Sequence, residues 1–275
     1  MKLSILTMVT KPDERQDKWW EALMNYNDFA DEVIVVNGGP ELKFDRSLYP
    51  KIREVMLPWP EDWEYPELPK HLNFGRSFCT GDWILKLDID HFVHESQFKF
   101  LRNIIEETDD GIDLLKMRKI NYSVGMMYYA KGSQPIIFRN KPSIGFGFIE
   151  DFPDGDLCIP MEVIDRTGEV WNGKSLRTED TGICYWNFSY TFKTEEVAKA
   201  HYLRMAKAFR NYFKSSKMGN DDEQSWQNFL TGARSKIEKS NQKATYYEIP
   251  GTLRKAIENI KSDEKGYNFW GKYKP

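Results

Sequence analysis

Residues 80–90 read Thr80-Gly81-Asp82-Trp83-Ile84-Leu85-Lys86-Leu87-Asp88-Ile89-Asp90. Turn formers open this stretch, a short apolar run fills it, and two carboxylates one residue apart close it. An apolar run of that length between turn signals reads as a strand buried on both faces, the kind found in parallel sheets. Ligands of such sheets sit outside the carboxyl ends of the strands. The reading therefore puts Asp88 and Asp90 at a ligand-facing edge, with Ile89 turned back into the core.

Working outward, residues 3–9, 32–36 and 52–57 carry the same β-branched apolar pattern, and residues 17–29 and 70–79 read as helices between them. Residues 95–107 are strongly amphipathic, with Phe98, Leu101 and Ile105 on one stripe. Strand and helix alternating in this order predict right-handed crossovers and an α/β fold with a mostly parallel sheet flanked by helices. Residues 58–69 hold Pro58, Pro60, Pro66 and Pro69 with Trp59 and Trp63, and read as an ordered loop. Beyond residue 112 the pattern is less regular. Strands are expected at 114–120 and 136–139, an acidic, glycine-rich loop at 145–156, and helices at 194–216, 223–239 and 253–261. The 194–216 helix shows an apolar stripe of Val197, His201, Met205, Ala208 and Tyr212, and a basic stripe of Lys199, Lys207, Arg210, Lys214 and Lys217. The division this suggests is an α/β unit over 1–190 and a helical C-terminal segment over 191–275.

With 40% hydrophobic residues, 9 Trp and 14 Tyr in 275 residues, the chain has ample core material and aromatic surface for stacking on rings. No run approaches the roughly 20 apolar residues of a membrane span, and the opening residues enter a strand pattern with no cleavage site. The expected location is the cytoplasm. Cys79, Cys158 and Cys184 are widely spaced, which argues against a disulfide framework or a thiolate zinc site. The net charge of −3 is unevenly spread, since residues 190–275 hold 17 Lys and Arg against 10 Asp and Glu. That basic end suits an anionic partner, whether nucleic acid or the face of an anionic membrane.

Two carboxylates crowded at the mouth of a buried sheet repel each other, and a divalent cation relieves the repulsion. Mg²⁺ or Mn²⁺ takes one or two carboxylates together with phosphate oxygens and waters. Such an ion stabilises the charge that builds on a diphosphate leaving a glycosyl group. Asp88 and Asp90 are accordingly the candidate metal ligands, with Asp88 also near the sugar or ribose.

The segments Asn73-Phe74-Gly75-Arg76 and Thr80 to Asp90, with the strand at 3–9 and Val35-Val36-Asn37-Gly38-Gly39, resemble family 2 glycosyltransferases over residues 2–107. The resemblance implies a GT-A, Rossmann-like fold, a nucleotide-sugar donor, Mn²⁺ or Mg²⁺, and inversion at the anomeric carbon. Carried over by position, it places Thr10 beside the base and ribose, and Asn37 where the family has a uridine-binding Asp. It places Arg76 near the pyrophosphate. His91 replaces an acidic or small residue. The catalytic base, a carboxylate that takes the acceptor's proton, falls by this resemblance on Asp151, then Glu150, with Asp180 in reserve. The aromatic stretch 184–190 matches a segment in which relatives carry a metal-binding His, and here Trp186 or Asn187 stands there.

The acceptor expected is a hydroxyl of a glycan or lipid-linked glycan, with modified DNA bases as the alternative that would use the basic C-terminal stripe. A nucleotidyltransferase would use the same carboxylates and Mg²⁺, but Val9-Thr10-Lys11-Pro12 lacks the glycine-rich triphosphate loop. A non-catalytic carbohydrate-binding protein would use the tryptophans and have no need of the Asp pair.

Overall fold

The computed structural model describes residues 1–62, 64, 67–123, 126–147, 159–162, 176–238, 242–243 and 245–258. In chain order the elements are β1 (Leu3–Val9), α1 (Trp19–Phe29), β2 (Glu32–Asn37), β3 (Ile52–Met56), α2 (Glu67–Arg76), β4 (Trp83–Lys86), β5 (His91–Val93), α3 (Phe98–Glu107), β6 (Leu114–Ser123), β7 (Met126–Arg139), β8 (Ile144–Gly147), β9 (Ile159–Glu162), β10 (Thr178–Asn187), α4 (Glu195–Phe213), α5 (Asp222–Glu238), β11 (Gln242–Lys243) and α6 (Gly251–Glu258). Among the described residues one sheet runs β3-β2-β1-β4-β7-β6-β10-β5, with β11 paired to β7, and β8 and β9 form a separate ribbon. The architecture is the α/β one expected, a sheet flanked by helices. Its parallel part is β3-β2-β1-β4 together with the β6/β10 pair, while β7, β5 and β11 pair antiparallel, which makes the whole sheet mixed.

Alternation along the parallel strands decides which helix covers which face. Leu3, Ile5, Val33, Val35 and Leu85 pack with Ala22, Leu23 and Tyr26 of α1. Their neighbours Leu6, Ile34, Val36 and Ile84 pack with Leu72 of α2 on the other side. Both faces are thus dry, and side chains of every other residue belong to one layer. α2 lies so close that a Cβ at Gly75 would stand 2.2 Å from Val36 and 2.6 Å from Leu6, which accounts for the glycine in the Asn73-Phe74-Gly75 segment. Asn73 adds a two-way bond to the Phe146 backbone at 2.9 and 2.8 Å.

β1 leads to β2 on one side, and β4 returns to the other side of β1. The crevice between the carboxyl ends of β1 and β4 is therefore the topological switch point, where such sheets bind ligands. Three expectations are corrected. α2 begins at Glu67 within the proline-rich stretch, because Pro69 falls in its first turn, where a missing N–H costs nothing. Residues 144–147, read as loop, form β8. α4 buries Ala198, Ala206, Ala208 and Phe209, so of the apolar stripe read from the sequence only Ala208 is fully buried. No helix among the described residues is long and apolar enough to cross a membrane.

Candidate active site

The Asp turn is staked to three elements. Buried Tyr26 of α1 brings its hydroxyl to the carbonyl oxygens of Asp88 and His91, at 2.7 and 2.8 Å. Burial first, then the two aspartates, keep that phenol protonated well above its ordinary range, so it stays a donor. The Phe188 N–H donates to Asp90 O at 2.9 Å, and the His91 N–H to Asp88 O at 2.8 Å. Ile89 is buried in the main core, as its alternation predicts.

Carboxylate oxygens of Asp88 and Asp90 and a ring nitrogen of His91 all lie within 4.8 Å of one another. Burial opposes ionisation of Asp88, but Lys86, whose ammonium stands 2.9 Å from Oδ1, outweighs it and holds the carboxyl well below the usual range. His91 itself is buried, and desolvation pushes its pKa down despite both aspartates. Its Nδ1 accepts the Asp88 N–H at 3.2 Å, so the neutral ring carries its proton on Nε2, which faces Asp90 Oδ1 at 3.8 Å. Two charged carboxylates of this spacing, aimed at one crevice, fit a hard divalent cation of the Mg²⁺ or Mn²⁺ type. With Nδ1 engaged by backbone, His91 serves that site by fixing the turn, and Asp88 and Asp90 are the two groups that would hold the ion.

The cluster opens on a cavity of about 450 Å³. Met8, Val9 and Thr10 line it from the end of β1, and Trp59 and Leu68 from the proline-rich stretch. Lys119 comes from within β6, Asn187, Ser189 and Tyr190 from the end of β10 and the residues after it, and Ala200, His201, Arg204 and Met205 from α4, which forms one wall. Arg15 also lines it. Desolvation, and then repulsion from Arg15, lower the Arg204 pKa, so two guanidiniums face a common space. His201 is driven well below its ordinary value by burial and by Arg15, Lys193 and Arg204, and is neutral.

Of the residues named from the sequence, Asp88, Asp90 and Thr10 meet at this cavity. Asn37 and Arg76 do not line it. The Asn37 amide donates to Pro40 O and Glu54 Oε1, both at 2.6 Å, while its Oδ1 accepts the Gly39 N–H at 2.8 Å, so no edge of it is left for a base. Arg76 donates to Lys141 O at the far end of α2 and braces the chain after β7. Glu150 and Asp151 lie outside the described residues. Asp180 is exposed near the start of β10, accepting from the Ser133 hydroxyl and the Gly182 N–H. It stands seven residues before the cavity-lining Asn187 on β10 and does not itself line the cavity. Trp186 packs in the core beside Phe188, and Asn187 donates to Asn121 Oδ1 at 2.9 Å while lining the cavity. Arg15, Lys119, His201 and Arg204 were missed as site residues. Only the excess of positive charge after residue 190 hinted at part of this group.

No family model matches the chain, and no curated protein matches it. Among solved structures it is similar to the crystal structure of TarS 1-349 of S. aureus, at 14% identity and a TM-score of 0.38, over 86% of this chain and 81% of that one. The same fragment in complex with UDP-GlcNAc matches at 16% identity and 0.38, over 86% and 82%. In complex with UDP it matches at 14% and 0.39, over 92% and 77%.

Proposed function

We propose that the chain is a metal-dependent glycosyltransferase that moves a sugar from a nucleotide-sugar donor to a hydroxyl of a glycan or lipid-linked glycan, with inversion. The observation that carries this is the Asp88/Asp90 pair at the β1/β4 switch point, opening on a cavity whose other walls bring Arg15, Lys119 and Arg204. Acids and cations lining one cavity suit a ligand that is anionic and bridges to a metal. A diphosphate has that character. Mg²⁺ or Mn²⁺ held by Asp88 and Asp90 would supply charge stabilisation to the departing diphosphate.

The chain's own contribution begins with placement. Lys86 keeps Asp88 ionised, Tyr26 and the Phe188 N–H hold the turn rigid, and the guanidiniums of Arg15 and Arg204, which line the same cavity, attract the phosphates. In transfer, the acceptor oxygen bonds to the anomeric carbon as the bond to the diphosphate oxygen breaks. The acceptor proton passes to a carboxylate, assigned to Asp151 and in second place to Glu150.

The test is calorimetric titration of wild type, Asp88→Asn and Asp90→Asn with UDP in the presence and absence of Mn²⁺. Binding should require Mn²⁺ in wild type and fall at least about 100-fold in either variant, the loss of one of two protein ligands to the ion. Metal-independent binding, or binding indifferent to both substitutions, would refute the assignment.

A further inference from the structure

Trp59 occupies a position that the metal chemistry does not use. It lines the cavity together with Met8, Val9, Thr10 and Leu68. Behind it lies His71, with the two rings parallel, centroids 3.8 Å apart and planes 6° from each other. His71 is itself fixed. It is 1% exposed, and its ring nitrogens lie 2.8 Å from Glu67 O and 3.0 Å from Leu57 O, which ties α2 to the residue following β3. The Trp59 backbone N–H donates to Gly38 O at 3.3 Å. A Cβ on Gly38 would stand 1.9 Å from Trp59 Cδ1, so the indole edge takes the space that glycine leaves open.

We propose that Trp59, backed by His71 and seated over Gly38, is the shelf on which the heterocyclic base of the donor stacks. The inference rests on the glycosyltransferase reading and adds to it the residue that binds the ring. Three observations converge. The end of β2, where Gly38 follows, is separated from the end of β4 by β1, two strand spacings or about 10 Å. Base and diphosphate therefore have separate places in one cavity. The indole is held before any ligand arrives, so stacking on it costs little further ordering. Asn37, the residue expected to read the base edge, is saturated by its own loop. A ring recognised here must then be recognised through its face, which every base has.

The experiment uses the full chain with Mn²⁺, titrated with UDP, GDP, CDP, ADP and inorganic pyrophosphate by calorimetry. The proteins compared are wild type, Trp59→Phe, Trp59→Leu and Gly38→Ala. Pyrophosphate carries the charge without the ring, and Leu keeps an apolar side chain without the face. The shelf predicts that the best nucleoside diphosphate loses roughly 5- to 150-fold in affinity in Trp59→Leu and in Gly38→Ala, the range of a lost base stack. Trp59→Phe should retain most of it, and pyrophosphate should stay within about twofold in all four proteins. Unchanged nucleotide affinity in Trp59→Leu overturns the shelf, as does an equal loss for pyrophosphate. If wild type binds pyrophosphate as tightly as every nucleotide, the shelf fails alone. If it binds neither, the donor reading fails and the shelf falls with it.

Discussion

Glu32 lies outside the cavity, yet it sets the strand that carries the metal ligands. Its carboxylate accepts from the Ser4 hydroxyl, the Thr80 N–H and hydroxyl, and the Gly81 N–H at 3.1 Å, clasping the turn that feeds β4 to β1 and β2. Burial opposes its charge, but these donors and Lys2 prevail and hold the pKa below the ordinary Glu value. A depressed folded-state pKa means stability that is complete above the unfolded value, about 4.3, and is lost as pH falls through the folded one. Glu32→Gln should cost about 1–3 kcal/mol at pH 7. In urea melts between pH 7 and pH 2, the gap between variant and wild type should close on the acid side. A gap that persists unchanged to the lowest pH would contradict this role. At this scale the sequence was legible where chemistry and alternation agreed, as at Asp88-Ile89-Asp90. It was silent on the polar side chains that serve the backbone, as Asn37 and Arg76 do, because hydrogen bonds across a loop leave no local pattern.

At the scale of elements, the segment after β1 is locked to the start of α4. The Lys193 ammonium is 2% exposed and binds both the Arg15 carbonyl, at 2.7 Å, and the Asp17 carboxylate. Arg15 Nε stands 3.0 Å from the other Asp17 oxygen, an ion-pair contact without hydrogen-bond alignment. Gln16 adopts φ 56° and accepts the Thr194 N–H at 2.7 Å through its side chain. A positive φ in a residue with a Cβ persists only where its surroundings dictate it. This latch brings Arg15 and α4 to the cavity together. Lys193→Met leaves Asp17 buried without its main counter-charge and should destabilise the protein by roughly 3–5 kcal/mol. Asp17→Leu with Lys193→Met should lose less than that single variant in the same denaturant series, whereas additive losses would show that the two do not act as a pair. β1, β2 and β4 could be read from sequence because strands buried on both faces are mostly apolar, while β3, the edge strand, keeps only Ile52 and Val55 buried. β10 could not, since Thr178, Glu179 and Asp180 are exposed at its start, and β5 is only three residues long. The packed face of α4 was legible only in part, at Ala208, because small residues, Ala198 and Ala206, make much of the remaining contact while His201 and Met205 line a cavity.

Over the whole molecule, charge is arranged around the crevice. The positive excess after residue 190 is partly consumed in packing α5 on α4, through Lys199 with Glu223 at 3.7 Å and Arg210 with Asp222 at 2.5 Å. Arg204 of α4 lines the same cavity as Asp88 and Asp90. A sheet that puts acids at its edge and a helix that puts a cation in the same cavity make a site for a metal-bridged anion. The most direct measurement is the anomalous difference map of crystals soaked with MnCl₂ and a nucleoside diphosphate. The account predicts one manganese peak bonded to carboxylate oxygens of both Asp88 and Asp90, with phosphate oxygens completing its shell. A diphosphate bound elsewhere, or one bound here with no manganese between it and these carboxylates, would contradict it.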